Sequence, residues 1–493
     1  MRRPGEGESM SLGETITGSQ MAVIDANSAA LGVPPKQLME SAGNAVARTV
    51  RSIVEPGSSV TVVAGRGNNG GDAFAAARFL DDYDVRVRLL GHAETIGTDI
   101  ARENWAALER AALDVAAWRD SSAIAFDDPD LFVDAMLGTG ISGRLREPVA
   151  TAAKRLNDSE TPVLSVDVPS GLDGETGALA DNAVEPDHVV TFHKPKPGLD
   201  ALEAPVTVAD IGVPQAAERF VERGDLLRLS RPADSHKGDF GEVLVIGGGP
   251  YTGAPALAAQ AALRAGADLV RVACPRSVAD EIQSYSENLI VRPFDGDRFT
   301  PDSVERVLSL AGEHDSVVLG PGLGAAENTL VAVREFLERY DGFAVVDADA
   351  LGVVPGVETD ATLVCTPHQG ELEAMGGETA DDWRERAELV ESFAAELGQT
   401  LLVKGPYDVL SDGERTRVNR TGNPGMTVGG TGDVLAGTVG ALTATQEPMA
   451  AAAIGAYVTG AAGDRVVERQ GYGLVATDLL GSIPSVIWRD EDG

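Results

Sequence analysis

The sequence predicts two α/β units in series, each a parallel sheet wound on both faces by helices. Three observations predict it. Short β-branched apolar runs alternate with longer helical patterns along most of the chain, which is how a parallel sheet covered on both sides reads. The alternation stops in a polar stretch near residues 216–231, closed by Pro232, and then starts afresh. The 493 residues are also enough for two to four domains at about 150 residues each.

In the first half, a helical pattern runs from Gly18 to Leu31, breaks at Gly32-Val33-Pro34-Pro35 and resumes to about Val54. Ser59–Ala64 reads as a buried strand, followed by a glycine loop, a helix from Asp72 to Asp81 and a strand from Val85 to Gly91. Further strands are expected near Leu131–Ala135, Pro162–Val168, His188–Thr191 and Thr207–Ala209. Residues 1–18, rich in Gly, Ser and Glu, are expected to form a flexible lead-in to a unit spanning 19–222. The second unit, 223–493, opens with the strand Glu242–Ile246, the turn Gly247-Gly248-Gly249 and an alanine-rich helix from Ala254 to Gly266. Strands follow near Leu269–Ala273, Ser316–Leu319, Ala344–Val346, Leu363–Thr366 and Thr400–Val403, and one helical region occupies about Thr431–Glu468. No short-period repeat is present.

Composition excludes several function classes. There are 76 acidic residues against 40 basic ones, a net charge of −36. Such a surface repels nucleic acid and anionic lipid, so neither is an expected partner. The acid is spread between apolar segments rather than gathered in a tail, which argues against a disordered acidic protein. It fits a halophilic protein whose self-repulsion is screened by concentrated salt; an ordinary acidic protein is the alternative. Only two cysteines occur, Cys274 and Cys365, without metal-ligand spacing, which points to a reducing, cytoplasmic setting. The most apolar stretch, Met449–Gly463, is mostly alanine and glycine and stops at Asp464, so no membrane span is expected. Arg2 and Arg3 are not followed by an apolar run, so the N-terminus does not read as a secretory signal. A homo-oligomer is the expected assembly.

Three segments at strand ends carry chemistry in the first half. Gly65-Arg66-Gly67-Asn68-Asn69-Gly70-Gly71-Asp72 formally matches the dinucleotide pattern G-x-G-x-x-G. The acidic ribose ligand that should end the next strand is replaced by Leu89-Leu90-Gly91-His92, which disfavours a nicotinamide dehydrogenase. Glycines admit backbone N–H groups to a phosphate at a helix start, and the asparagines and Asp72 add ligands for a cation or hydroxyls; a plain capped turn is the alternative. Val133-Asp134-Ala135-Met136-Leu137-Gly138-Thr139-Gly140 places Asp134 inside an apolar run. Ser165-Val166-Asp167-Val168-Pro169-Ser170-Gly171 places Asp167 in a strand and Ser170 in a turn. A buried carboxylate needs a partner, a cation or a proton.

These segments, with the upstream Leu38-Met39-Glu40-Ser41-Ala42-Gly43, resemble the NAD(P)H-hydrate epimerase domain. The resemblance implies a Rossmann-like fold. It assigns the hydrated nucleotide to Asn68, Asn69, Gly70, Gly71 and Asp72, and to Gly138, Thr139, Gly140, Ile141, Ser142, Gly143 and Arg144. It assigns a potassium ion (K+) to Asn69, Asp134 and Ser170, and places Asp167 near the reacting carbon. Ala73 departs slightly from the commoner Gly-Asp-Gly, at the helix start.

In the second half, His236-Lys237-Gly238, Gly320-Pro321-Gly322-Leu323-Gly324, Thr366-Pro367-His368-Gln369-Gly370-Glu371, Lys404-Gly405-Pro406-Tyr407-Asp408 and Gly429-Gly430-Thr431-Gly432-Asp433 each adjoin a predicted strand or helix, so one crevice is expected to collect them. Gly-Gly-Thr-Gly-Asp before a helix supplies N–H groups for a phosphoryl group and an aspartate for the attacking hydroxyl. The set resembles the nucleotide-dependent NAD(P)H-hydrate dehydratases, with a ribokinase-like fold. The resemblance implies that Ala254, Gly322, His368 and Asp433 contact the hydrate, and that Lys404, Gly405, Pro406, Tyr407, Asp408 and Gly432 contact the adenine nucleotide. His368 alone would more often be a structural or exposed histidine, and Lys404 alone a surface lysine; the chain has six lysines (Lys36, Lys154, Lys194, Lys196, Lys237, Lys404).

The implied activity is repair of NADH or NADPH that has gained water. One unit would interconvert the R and S hydrates through Asp167. The other would dehydrate the S form with ADP, or ATP, and magnesium (Mg2+), Asp433 taking the hydroxyl proton before phosphate leaves. Three alternatives stay open: a ribokinase-like small-molecule kinase fused to a nucleotide-binding module, a first unit that binds without turnover, and a dehydrogenase.

Overall fold

The computed structural model describes residues 14–140 and 143–489. The chain divides into two compact units at 217/218; the sequence placed the division at 222/223. Of the expected flexible lead-in, residues 1–13 lie outside the described residues. Residues 14–18 are not a loose tail: Ile16 N–H bonds to the Pro195 carbonyl at 2.9 Å, and Thr17 caps the first helix in a capping box with Gln20.

The first unit runs α1 (Gly18–Ala30), α2 (Pro35–Ile53), β1 (Ser59–Ala64), α3 (Asn68–Arg78), β2 (Asp84–Leu90), α4 (Asp99–Arg110), β3 (Asp114–Trp118), β4 (Leu131–Ala135), α5 (Val149–Asn157), β5 (Val163–Val166), β6 (His188–Phe192) and β7 (Val206–Ala209), and α6 (Gln215–Arg219) carries the chain across the division. The sheet order is β3-β2-β1-β4-β5-β6-β7 and every pairing is parallel. The winding reverses between β1 and β4, so the loops leaving these strands diverge and open a crevice at their C-terminal edge. β3 was not anticipated; it is a half-buried edge strand, and its pattern lacks the apolar run that marks central strands. Behind the crevice, α3 is fixed by Phe74, fully buried and edge-on to Trp105 at 5.3 Å.

The second unit runs β8 (Glu242–Ile246), α7 (Gly253–Ala265), β9 (Leu269–Pro275), α8 (Ala279–Ser284), β10 (Ile290–Phe294), α9 (Pro301–Ala311), β11 (Ser316–Leu319), α10 (Glu327–Arg339), β12 (Phe343–Val346), β13 (Thr362–Cys365), α11 (Gln369–Ala374), α12 (Trp383–Leu397), β14 (Thr400–Val403), β15 (Asp408–Ser411), β16 (Thr416–Asn419), α13 (Thr431–Thr443), α14 (Pro448–Gln470) and α15 (Ala476–Trp488). Its sheet order is β10-β9-β8-β11-β12-β13-β14-β15-β16, parallel up to β14, with β15 and β16 added antiparallel. The reversal falls between β8 and β11. The single helix expected over Thr431–Glu468 is two, because Pro448 starts a new helix after a short turn.

Small residues set the packing of this unit. A Cβ on Gly437 of α13 would lie 2.0 Å from the Ala258 carbonyl oxygen of α7, so the two helices meet backbone to side. Gly430 abuts Leu257 near one end, and Ala265 shares a small cavity with Ala441 and Leu442 near the other. The helices therefore run side by side in the same direction, with both N-termini at one edge. Among the described residues, no helix is long and apolar enough to cross a membrane. Cys274 and Cys365 are buried free thiols.

Candidate active sites

In the first unit the exits of β1 and β4 touch at a glycine: a Cβ on Gly65 would sit 1.8 Å from the Met136 carbonyl oxygen. The segment read as a glycine loop is instead the first turn of α3, which starts at Asn68 after the extended cap Gly67. Its free N–H groups still face the crevice edge. Gly70 and Gly71, however, are glycines for packing: Cβ atoms there would meet the Gly65 carbonyl oxygen at 2.2 Å and the Met39 and Ala101 side chains at 2.8–2.9 Å.

Asn69 reaches across from this turn. Its Nδ2 donates to the Leu137 carbonyl at 2.7 Å and the Val166 carbonyl at 3.1 Å, while its buried Oδ1 has no partner. Beside it Asp134, fully buried in β4, accepts from Ser165 Oγ (2.9 Å), Ser170 N (2.9 Å), Ser170 Oγ (2.6 Å) and Met136 N (3.2 Å). Burial raises its carboxyl above the usual range, and these donors only partly offset that. No lysine or arginine among the described residues pairs with it. Asn69, Asp134 and Ser170 thus lie together, around an unpaired amide oxygen and a carboxylate without a counter-charge.

Asp167 lies just past the end of β5 rather than inside the strand, in the left-handed region at φ 65°. Aspartate tolerates this region better than most non-glycine residues. Its carboxyl is held by Lys196, whose side chain is 3% exposed: Nζ lies 2.6 Å from Asp167 Oδ1 and donates to Thr191 Oγ1 (3.1 Å) and the Phe192 carbonyl (3.2 Å). Thr191 Oγ1 donates to Asp167 at 3.1 Å. Asp167, Lys196, Asp72 and Asp25 line one open cleft of about 1870 Å³ with Asn68, Asn69, Gly138, Thr139, Gly140 and Arg144. Gly143 turns that loop at φ 82°; Ile141 and Ser142 lie outside the described residues. Burial raises Asp72 well above the ordinary carboxylate range, with Asp167 and Asp25 adding to it. Sequence reasoning missed Lys196 and Asp25. The rarity of lysine in this chain was the available signal for Lys196.

The second unit repeats the glycine device. A Cβ on Gly247, after β8, would lie 2.3 Å from the Pro321 carbonyl oxygen, and one on Gly320, after β11, 1.9 Å from that of Asp347. A Cβ on Gly322, at φ 73°, would lie 2.4 Å from the Tyr251 carbonyl oxygen, next to the start of α7 that carries Ala254. Asp347 follows β12, nearly sealed. It accepts from Thr366 Oγ1 (2.8 Å) and from Lys404 Nζ (3.0 Å), and Glu371 Oε2 stands 3.8 Å from the same Nζ. Burial lowers the Lys404 pKa, but Asp347 and Glu371 outweigh it and the net shift is upward.

Gly430, left-handed at φ 96°, caps α13, so Thr431, Gly432 and Asp433 form its first turn. A Cβ on Gly432 would lie 3.4 Å from Lys404 Nζ. Asp433 has no hydrogen-bond or ion-pair partner among the described residues. Burial and the Asp347 charge push its pKa to about 7, against the opposing pull of Lys404.

His368 is exposed and serves as the N-cap of α11, its Nδ1 accepting from Glu371 N at 3.1 Å. Asp408 turns inward: Gly405 N (3.0 Å) and Asn419 Nδ2 (2.9 Å) donate to it, so it shapes the turn that displays Gly405, Pro406 and Tyr407. Burial raises it to about 6. Tyr407 stacks on Trp383 at 5.7 Å. One expectation fails. His236-Lys237-Gly238 precedes β8 and lies at the opposite sheet edge, where Gly238 N and Phe240 N bond to Asp268, the residue before β9. A segment that enters a parallel strand cannot share the edge at which the strands exit. Asp347 was not singled out beforehand and gave only the apolar run before it as a signal; Glu371 was read as the end of the Thr366–Glu371 motif but was given no role.

Two doubly wound sheets, each with a lysine–carboxylate pair at the ligand edge and helix N-termini aimed there, define a class of α/β enzymes acting on phosphorylated, nucleotide-like ligands. Comparison with known proteins narrows this. A family profile described as YjeF-related protein N-terminus matches residues 35–198, and one described as NAD(P)H-hydrate dehydratase matches residues 243–485. The bifunctional NAD(P)H-hydrate repair enzyme Nnr of Pyrobaculum aerophilum is 45% identical, over 97% of this chain and 98% of that protein. The one from Methanothermobacter thermautotrophicus is 44% identical, over 95% and 94%. The ADP/ATP-dependent NAD(P)H-hydrate dehydratase of Bacillus subtilis, co-crystallized with ATP/Mg2+, is a solved structure 26% identical over 54% of this chain and 97% of that one, with a TM-score of 0.49. The chain belongs to the family of bifunctional NAD(P)H-hydrate repair enzymes.

Proposed function

We propose that the first unit epimerises the C6 hydroxyl of hydrated NADH and NADPH, and that the second dehydrates the S epimer with ADP, releasing AMP and phosphate. The observation that carries this reading is Asp433: an unpaired carboxylate, poised near neutrality, on the first turn of a helix whose N–H groups face the same edge as Lys404. That is what activating a hydroxyl toward a phosphoryl group requires. Asp433 takes the hydroxyl proton, the first-turn N–H groups of α13 hold the phosphoryl oxygens, and Lys404 faces the nucleotide. The ring nitrogen lone pair then expels phosphate, a proton leaves C5, and the dihydropyridine is restored. His368 contacts the hydrate from the exposed start of α11, opposite Ala254 and Gly322, and Gly405 to Asp408 with Gly432 form the nucleotide face.

In the first unit Asn68 to Asp72 and Gly138 to Arg144 hold the nucleotide, and Asp167 acts near C6. K+ is placed at Asn69, Asp134 and Ser170; the partnerless Asn69 Oδ1 and the uncompensated Asp134 support it. Bound there, K+ supplies the missing counter-charge. Mg2+ belongs to the nucleotide phosphates in the second unit, since no three Asp, Glu, His or Cys groups form a metal cage among the described residues. A cytoplasmic, salt-adapted homo-oligomer completes the proposal.

The test is absorbance of the dihydropyridine band after adding the protein to mixed R and S hydrates, in KCl with Mg2+, with and without ADP or ATP. Recovery of both epimers supports the whole reading. Recovery that stops at the S fraction leaves the dehydratase and makes the first unit a binding module. No recovery with either nucleotide overturns the reading. Replacing K+ by Na+ is expected to slow epimerisation and not dehydration by the second unit's own residues.

A further inference from the structure

We propose that Asp25 of α1 is a second acid–base residue of the epimerase cleft, working beside the Asp167–Lys196 pair. The inference rests on the epimerase reading above and adds a residue ahead of the stretch matched to the family profile, which begins at residue 35.

α1 packs at the ligand edge of the first unit. Its start is tied to the Lys196 segment, through Ile16 N–H to the Pro195 carbonyl at 2.9 Å and a Glu14–Lys194 ion pair at 3.1 Å. Its first residue, Gly18, meets the nucleotide loop: a Cβ there would lie 2.9 Å from Thr139 Oγ1. Between these anchors the helix is a wall of the cleft, and Gly18, Met21, Ala22 and Asp25 line it. The Asp25 carboxyl has no hydrogen-bond or ion-pair partner among the described residues. Lys196 and Asp167 are the charges that act on it, and Asp72 feels it in turn.

Charge and chemistry then assign the roles. Five carboxyl groups line the cleft, Asp25, Asp72, Glu147, Asp167 and Asp181, with two lysines, Lys154 and Lys196. Of these, Asp25, Asp72 and Asp167 share the field of Lys196, and Lys196 is committed to Asp167. Burial pushes Asp25 to about 6, with Lys196 opposing and Asp167 reinforcing, so near neutrality it holds or releases a proton at little cost. Epimerisation at C6 needs an acid and a base at once. The acid protonates the C6 hydroxyl, the C–O bond breaks with its electrons on the departing water, and the ring nitrogen lone pair forms a C=N bond to C6. A water then adds from the other face, its electrons forming the new C–O bond as the nitrogen regains its lone pair, and its proton passes to the base. Nothing is oxidised or reduced. One carboxyl group cannot serve both faces of a ring held by its diphosphate. Two can, and each turnover swaps their protons, so the opposite epimer or exchange with solvent resets the site.

The experiment uses the full chain. Wild type and Asp25→Asn are given the pure R hydrate without nucleotide in H₂¹⁸O, and the epimers are separated and weighed. Wild type is expected to incorporate one solvent oxygen per inversion. Asp25→Asn is expected to lower kcat about 10²-fold, with KM changed less than about threefold, and to lose the pH limb near 6. Asp25→Glu, which keeps the carboxyl group, is expected to restore part of the rate. It covers the case in which the asparagine variant fails to fold, monitored by melting and by dehydration of the S hydrate in the same sample. Wild-type kcat in Asp25→Asn, a change in KM alone, or inversion without solvent oxygen overturns the proposal. A wild-type protein that inverts no faster than buffer overturns the epimerase reading itself, a result distinct from the variant's.

Discussion

The two ligand edges use a similar device differently. Each sets a cluster of carboxyl groups in the field of a lysine: Asp25, Asp72 and Asp167 at Lys196 in the first unit, and Asp347, Glu371, Asp408 and Asp433 at Lys404 in the second. In the first, the lysine clamps the residue proposed to face the reacting carbon, at 2.6 Å. In the second, it clamps a bystander, Asp347, at 3.0 Å and leaves the reacting carboxylate free. The difference follows the chemistry proposed for each. Moving a hydroxyl between faces needs a fixed base paired with a mobile acid, whereas phosphoryl transfer needs an unclamped base and a cation turned toward phosphate.

If the edges are independent machines, breaking one leaves the other running. The largest expected effect is from Asp433→Asn, which should cut nucleotide-dependent dehydration about 10²–10⁴-fold and leave epimerisation of the R hydrate intact. Asp167→Asn, which keeps a residue tolerant of the left-handed backbone, should do the converse. Loss of both activities from either variant breaks the comparison.

Next come the lysines. Lys196→Met leaves the Asp167 carboxylate, 16% exposed on the cleft wall, without its counter-charge and is expected to destabilise the first unit by about 1–3 kcal/mol. Lys404→Met strands Asp347, 4% exposed, and is expected to cost the second unit more, about 3–5 kcal/mol, and to weaken ADP binding as well. Urea unfolding followed with probes in each unit reads the order, and equal losses would remove the distinction between the two clamps.

A subtler contrast is in pH. With Asp433 at about 7 in the fold and near 4 when unfolded, the native state holds a proton that the unfolded chain has released. Stability from this residue therefore falls as pH rises from about 4 to about 7 and is level above that. Dehydration should rise through the same window as the base forms. Asp433→Asn is expected to melt a few degrees higher than wild type at pH 8 and to lose that advantage by about pH 4. The smallest effect expected at either site is from salt: melting should shift upward between dilute and multimolar KCl through the net charge of −36, and a flat profile removes the halophilic reading.

Central strands were legible because they are continuous apolar runs: Ser59–Ala64, Leu131–Ala135, Glu242–Ile246, Ser316–Leu319 and Thr400–Val403 lie where the sequence puts them. The edge strands β3 and β16 were not, nor was β15 next to the edge, since they are short and carry polar residues. The start of α3 was misplaced because Asn-Asn-Gly-Gly looks like a loop, while its glycines are there for contacts with Gly65, Met39 and Ala101 that only the fold creates. Asp134, Asp167 and Asp433 could be read from their strand-end and helix-start contexts. The roles of Lys196, Asp25 and Asp347 could not, because what matters in each is a neighbour distant in the chain: Asp167 for Lys196, the Asp167–Lys196 pair for Asp25, and Lys404 for Asp347.

The closeness of α7 and α13, fixed where Gly437 meets the Ala258 backbone, has a mechanical meaning. The two helices begin at the residues proposed to face the hydrate and the base that activates it, Ala254 and Asp433. Their spacing is a gauge cut into the main chain, and no rotamer can reset it. A larger residue at 437 would leave every reacting group in place chemically and yet spread the jaws of the gauge, so that acceptor and donor still bind but no longer meet.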